Sequence, residues 1–301
     1  MDEEPSEEAP GATLGRRLAD YAVLVKPGIM LALLISCFSA MVVAAGGLPP
    51  PTLVAATLVG GALASASAAV LNNLLERDRD AKMRRTRRRP LPAHRLEPSH
   101  AAVFATVLAG AACIVLTAFA SALAAALALS GLVFYAFVYT LWLKPLTAQN
   151  IVIGGAAGCF PALVGWTAVT GTIGPGAVLI ALIVFLWTPP HFWSLALLHK
   201  DDYAQAEFPM LPVTRGEEVT RRQILAYSAL LVAVTALLVP LGVLGLVYLL
   251  LSAALGAIFL AQAATLFFTR KPTAARALFR YSNAYLALLA FAMVLDVAWP
   301  F

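Results

Sequence analysis

Apolar runs of roughly 20 residues, the length a helix needs to cross a bilayer core, recur from one end of this chain to the other. Their approximate limits are 22–44, 52–75, 100–119, 123–143, 150–169, 177–198, 223–240, 243–268 and 278–299. A soluble domain of 301 residues is far more polar than a chain that is 61% hydrophobic and 12% charged. The pattern predicts an all-α membrane protein of about nine transmembrane helices, enclosing a central cavity that opens to the cytoplasmic face. Gly and Pro are frequent inside the runs, as expected where small residues let helices approach closely in lipid.

The charges orient these helices. Of the 21 Lys and Arg, three lie in the N-terminal segment through Lys26 and nine at the end of the second run and in the loop after it. Lys144 stands alone after the fourth run, four follow the sixth, and four lie in the last loop and the entry to its helix. The alternate loops, such as "GGLPPP" and "TGTIGPG", carry none. Basic residues mark the cytoplasmic side, so the N-terminus is expected inside and the C-terminus outside a bacterial plasma membrane. Eight or ten helices would break the alternation. Residues 1–20, which open with "MDEEPSEEAP", read as a disordered acidic tail too acidic for a transit peptide. Residues 21–301 read as one polytopic domain. Cys37, Cys113 and Cys159 are widely spaced in apolar runs, which predicts neither disulfides nor a zinc site.

The second run ends in "NNLLERDRDAKMRRTRRRP", residues 72–90, with three acidic and eight basic side chains. Asn72, Glu76 and Asp80 recur at i, i+4 and i+8 and share one helix face. Asn73 and Arg77 form an adjacent stripe, with Asp78 roughly opposite Glu76. Carboxylates at a membrane helix end are costly unless they face a cavity, a partner or an ion. Mg2+ takes hard oxygen ligands, commonly one or two carboxylates plus phosphate oxygens. The following Lys82, Arg84, Arg85, Arg87, Arg88 and Arg89 complete a clamp suited to diphosphate. The plainer reading makes the acids intrahelical partners of the arginines, and the basic run a topology signal in contact with lipid headgroups.

A second constellation, "WTPPHFWSLALLHKDDYAQAEFPMLPV", covers residues 187–213. Trp187, His191, Phe192 and Trp193 lead into Lys200, Asp201, Asp202 and Tyr203. Pro189 and Pro190 break helical hydrogen bonds and mark a kink or a cavity wall. The aromatics could line a pocket for a flat ring or an isoprenoid tail and stabilise a carbocation; they could equally be interface anchors. The charge alternation places this acidic pair on the same face as the first, which fits one shared site or two separate solvated loops.

These two stretches resemble the protohaem IX farnesyltransferase family, within the intramembrane aromatic prenyltransferases. The resemblance rests on Asn72, Asn73, Arg77, Asp78, Asp80, Met83, Arg85, Thr86, Arg89 and Pro90, and on "WTPPHFW" with its downstream "DDY" and "PMLPV". It covers the chain from about Tyr21 onward. Asn73 stands where the wider group's N-D-x-x-D-x-x-x-D pattern has its first Asp, and Glu76 stands where it has its second. The wider group's second motif, D-x-x-x-D, is replaced by Asp201 and Asp202, with Glu207 further on.

The resemblance implies transfer of a farnesyl group from farnesyl diphosphate to the 2-vinyl group of haem b, giving haem O, with Mg2+ as cofactor. It implies Asn72, Glu76 and Asp80 as a first metal site, with Asp201 and Asp202 as a second or as its hydrogen-bonding support. Asn73, Arg77, Lys82, Arg85, Arg89, Trp187, His191, Trp193, Lys200 and Tyr203 would bind substrate. Expected partners are membrane lipid and haem A synthase or cytochrome oxidase assembly factors, and no nucleic acid. A prenyltransferase for another ring acceptor, such as a quinone precursor or a chlorin, is the alternative within the class. A transporter is the alternative outside it; clustering of charge at one face and the lack of an internal repeat oppose it.

Overall fold

The computed structural model describes residues 14–299, and their regular structure is helical. A short helix, α1 (Leu14–Leu24), precedes the long ones. These are α2 (Pro27–Ala45), α3 (Pro51–Asp80), α4 (Pro98–Phe119), α5 (Ala122–Leu146), α6 (Asn150–Thr170) and α7 (Pro175–Leu198). Two short helices, α8 (Lys200–Gln205) and α9 (Leu211–Thr214), lead to α10 (Gly216–Ala236), α11 (Leu246–Thr269) and α12 (Pro272–Ala298). Five of the long helices open on Pro, whose fixed φ suits the first turn and whose missing N–H would have no helical acceptor there. Gly46 and Gly171, at φ 61° and 71°, end α2 and α6 in the left-handed conformation.

Eight of these helices are long and apolar enough to cross a membrane. The remaining expected span, 223–240, is helical over Gly216–Ala236 instead. Its first two turns carry Glu217, Glu218, Arg221 and Arg222, and it gives way to a turn before Pro240. α10 nevertheless packs along α7 and α11. The tail expected over 1–20 is corrected at its inner end, because Leu14–Asp20 begin α1; residues 1–13 lie outside the described residues. α1 exposes Leu14 and Leu18 beside Arg16 and Arg17 and buries Leu24 at its end, the pattern of a helix lying in a membrane interface.

α2 packs on α6 and α12, α3 on α4 and α5, and α12 on α7 and α11. α7 is the axis of the bundle: 67% of its apolar window is buried, against 17% for α4. α4 instead exposes Val103, Val107 and Ile114, a face suited to lipid.

Lipid tails are as apolar as Leu, so helix association relies on close packing and internal polar contacts rather than on water exclusion. Gly165 of α6 lies so tightly on α2 that a Cβ there would strike the carbonyl of Cys37. Asp296, buried in α12, accepts from the free N–H groups of Gly245 (2.6 Å) and Tyr248 (2.9 Å) at the start of α11, and so supplies the acceptors a helix N-terminus lacks. Gly165→Ala should therefore destabilise the detergent-solubilised protein by roughly 1–3 kcal/mol, because backbone cannot yield as a side chain can. Gly110→Ala, where nothing lies within 4 Å of the added carbon, should be neutral in the same thermal unfolding assay. Equal melting of the two variants would overturn the close-packing argument.

Candidate active site

The charged tail of the apolar α3 run continues as helix to Asp80. Asn72, Glu76 and Asp80 form a row on one face and are 2%, 5% and 1% exposed. Each is met by a cation from elsewhere in the chain. Lys26 Nζ, in the break between α1 and α2, donates to Asn72 Oδ1 at 2.5 Å. Lys144 Nζ of α5 pairs with Glu76 Oε1 at 2.5 Å. Arg89 donates to Asp80 Oδ2 at 2.7 Å. Thr140 Oγ1 accepts from the Asn72 amide at 3.0 Å and fixes which way that amide faces.

The loop after α3 explains why Arg89 reaches back to Asp80. Met83 and Thr86 are buried, and Thr86 Oγ1 donates to the Asp80 carbonyl at 2.8 Å. The Arg89 N–H then bonds Thr86 O, which closes the turn. Arg95 anchors the far end of the loop on Asp20 of α1 through paired contacts of 2.9–3.3 Å.

The second constellation folds over the first. Lys82 approaches Glu207 at 3.5 Å, and Met83 joins the same core as Tyr203 and Phe208. Phe208 roofs the row: Lys144 Nζ lies 4.5 Å from its ring centroid and the Arg79 guanidinium 5.2 Å. A hollow of about 500 Å3 opens beside this roof, lined by Ala81, Lys82, Arg84, Arg87 and Gln205. Between α2, α7 and α12 lies a void of about 10 Å3 against Ser36, Ser39 and Leu289.

Electrostatics show how closely the cations crowd. Enclosure by protein pushes the Lys26 ammonium down to about 7; Arg89 and Lys144 add repulsion, against the pull of Glu76 and Asp80. Burial, then Arg85, holds the His199 imidazole below its ordinary value, against the pull of Asp202.

The other residues expected at the site have partners of their own. The Asn73 amide donates to Leu24 O and Ala69 O, so it fastens α1 rather than facing the row. Arg77 pairs with Asp78 on the exposed side of α3. Asp201 is exposed, Asp202 faces His199 at 3.8 Å, and Lys200 pairs with Glu217. Tyr203 is buried against Phe208, and Trp193 lies edge-on to Tyr227. Trp187 and His191 stack at 4.3 Å in the interior.

Lys26, Lys144, Thr140 and Phe208 were not anticipated. Lys144 had a signal: it is the only Lys, Arg, Asp or Glu between Glu97 and Lys200. Thr140 lies in a π-helical stretch of α5, Phe134–Leu143, a distortion that often marks functional positions.

Among the described residues, no three His, Cys, Asp or Glu are grouped to hold a metal by themselves. The row offers two carboxylates and an amide oxygen, an all-oxygen set that suits Mg2+ when a ligand supplies further oxygens. The surrounding cations suit a polyanion.

A helical membrane bundle with such a site defines a class. The profile of the UbiA prenyltransferase family matches residues 33–292, and the chain belongs to that family. It is a transferase. It is 50% identical over 291 residues to the protoheme IX farnesyltransferase of Gloeobacter violaceus, covering 96% of this chain and 95% of that one. The enzyme of that name from Nostoc sp. is 49% identical, covering 93% and 88%. The Roseiflexus sp. protein of the same name is 46% identical over 93% of this chain, which spans 52% of that relative's length. Digeranylgeranylglyceryl phosphate synthase shares the fold at TM-score 0.76 and 16% identity, over 93% of this chain and 98% of that one. A UbiA homologue from Archaeoglobus fulgidus, bound to DMAPP and Mg2+, does so at 0.64 and 17%, over 91% and 99%.

Lys144→Met should destabilise the protein by roughly 3 kcal/mol, because it strands Glu76 as a buried, unpaired charge. Lys144→Met with Glu76→Gln should recover most of that loss. Detergent-phase unfolding of the two variants checks it; no recovery in the double variant would show that the ion pair is not what Lys144 contributes.

Proposed function

We propose that this chain transfers the farnesyl group of farnesyl diphosphate to the 2-vinyl group of haem b, giving haem O and diphosphate, with Mg2+ as cofactor. One observation carries the reading: a buried row of oxygen ligands, faced by three cations, at the charged end of an apolar bundle. Such a site suits a polyanion whose tail belongs in hydrocarbon. The names of the relatives support the haem acceptor. The Archaeoglobus fulgidus homologues bound to DMAPP or GPP with Mg2+ support the donor class and the metal.

Asn72, Glu76 and Asp80 would hold Mg2+ together with diphosphate oxygens. When bound, the ion offsets negative charge on the departing diphosphate. Lys144 and Arg89, already aimed at the row, add positive charge, as Lys26 does once a diphosphate draws a proton to it, with Lys82 and Arg85 at the rim. The allylic C–O bond breaks with its electron pair on the diphosphate. The vinyl π pair then forms the new C–C bond. Water adds to the resulting cation and gives up a proton, leaving a hydroxyethylfarnesyl group. Phe208 roofs the site and, with the packed bundle, keeps other water from the allylic cation. Asp201 and Asp202, on the segment that forms this roof, would extend the acidic rim rather than complete the first metal site.

Position 76 tests the metal. Glu76→Asp keeps the charge and should stay active. Glu76→Gln should lose most farnesyl transfer and regain part of it at high Mg2+, since mass action offsets weaker binding. Haem O formation by purified protein across Mg2+ concentrations is the assay; a Gln variant with wild-type rate and unchanged Mg2+ requirement removes Glu76 from the metal site.

The charged end would face the cytoplasm. Reporter fusions after residues 95 and 215 should read cytoplasmic, and fusions after 172 and 301 external. An internal C-terminus would overturn the nine-span count.

A further inference from the structure

α5 answers the oxygen row of α3 in register. Asn72 meets Thr140 and Glu76 meets Lys144, each 68 positions away, so two residues one turn apart on α3 face two residues one turn apart on α5. The match depends on a local distortion. Phe134–Leu143 is π-helical, and the Thr140 hydroxyl donates to the Tyr135 carbonyl, five residues back, at 2.8 Å. In an α-helix a threonine hydroxyl reaches back three or four residues. The widened turn is held from outside as well. Tyr139 stacks on Tyr135 at 5.6 Å, and its ring fills the room left by Gly154 of α6, where a Cβ would strike it.

This arrangement gives the Asn72 amide one orientation. The Tyr135 carbonyl can only accept, so it takes the single Thr140 proton, and Thr140 Oγ1 is left to accept from Asn72 Nδ2 at 3.0 Å. Asn72 Oδ1 then faces the other way, where Lys26 Nζ donates to it. The flipped amide would set its oxygen against a hydroxyl with no proton to offer and its N–H groups against the ammonium. Two partners on separate helices thus agree on the same amide orientation. Lys26 also feels the charges of Glu76 and Asp80, so Oδ1 points into the space those carboxylates share.

We propose that Thr140 is a positioning residue for metal binding: its hydroxyl, held by the π-helical turn, keeps Asn72 Oδ1 aimed at the cation that Glu76 and Asp80 would share. This rests on the metal site of the proposed function and deepens it.

The test reads bound metal rather than turnover. Mn2+ is titrated into the purified full-length protein in detergent with inorganic pyrophosphate, and protein-bound Mn2+ is measured by electron paramagnetic resonance. Thr140→Ser keeps the hydroxyl and should bind as the wild type does. Thr140→Val keeps the shape without the hydroxyl and should bind about tenfold more weakly, as loss of a group that orients a metal ligand typically does. Asn72→Asp separates orientation from packing. A carboxylate has two like oxygens and no wrong end, so combined with Asn72→Asp the Thr140→Val exchange should change affinity little. A tenfold loss that persists with Asn72→Asp overturns the orienting role. Equal binding by Thr140→Val and the wild type overturns it too and leaves the metal site standing. A wild type that binds no Mn2+, or Asn72→Ala that binds as tightly as the wild type, overturns the metal reading of Asn72 and this inference with it.

Discussion

Everything at the charged end of this protein is organised around the buried oxygen row of α3. A carboxylate removed from water costs several kcal/mol unless it is paired, and two of them one helical turn apart add mutual repulsion. Glu76 and Asp80 meet that demand with Lys144 and Arg89, and Asn72 engages Lys26. The three cations come from separate parts of the chain, so satisfying one helix face draws the α1–α2 break, the loop after α3 and the end of α5 to one place. The same ionic logic continues outward: Arg95 ties the loop to α1, Lys82 reaches Glu207, Lys200 reaches Glu217 and Arg270 reaches Glu218.

This arrangement doubles as chemistry. On the proposed function, cations that neutralise carboxylates without a ligand would neutralise a diphosphate with one, so the site would avoid a large unpaired charge in either condition. The apolar bundle contributes the complementary property. α7 is packed on several sides, its proline pair interrupts the backbone ladder, and Trp187 and His191 stack with Phe279 of α12 in the half nearer the charged end. Polar head and apolar body of the proposed substrates thus meet matching surroundings without any mobile element being invoked.

Away from the charged end, stability rests on contacts too short for any larger side chain, as where Gly165 meets Cys37, and on isolated polar clasps such as Asp296 on the start of α11. Both follow from the solvent. Lipid gives helices little reason to associate, so close packing and buried hydrogen bonds must supply it.

The sequence by itself determined the membrane class, the helical runs and the gathering of the basic residues at alternate connections and the helix ends beside them, because spanning length and charge placement are local properties. The i, i+4, i+8 spacing of Asn72, Glu76 and Asp80 likewise determined that they share a face. Spacing could not tell which residues answer that face: Lys26 and Lys144 lie 46 and 68 positions from their partners. Nor could it separate Asn73 from the site, since its amide is spent on Leu24 O, a contact that exists only once α1 docks. The acidic pair Asp201 and Asp202 looked equivalent to the first row, yet only the fold shows that it was Phe208, a few residues later, that came to cover the row. The surroundings of His191 were the least legible feature, because Ser282 and Phe279 lie on a helix about ninety residues away. Helices are specified by neighbours along the chain, whereas ion pairs and hydrogen bonds are specified by neighbours in space, and those become defined only when the helices pack.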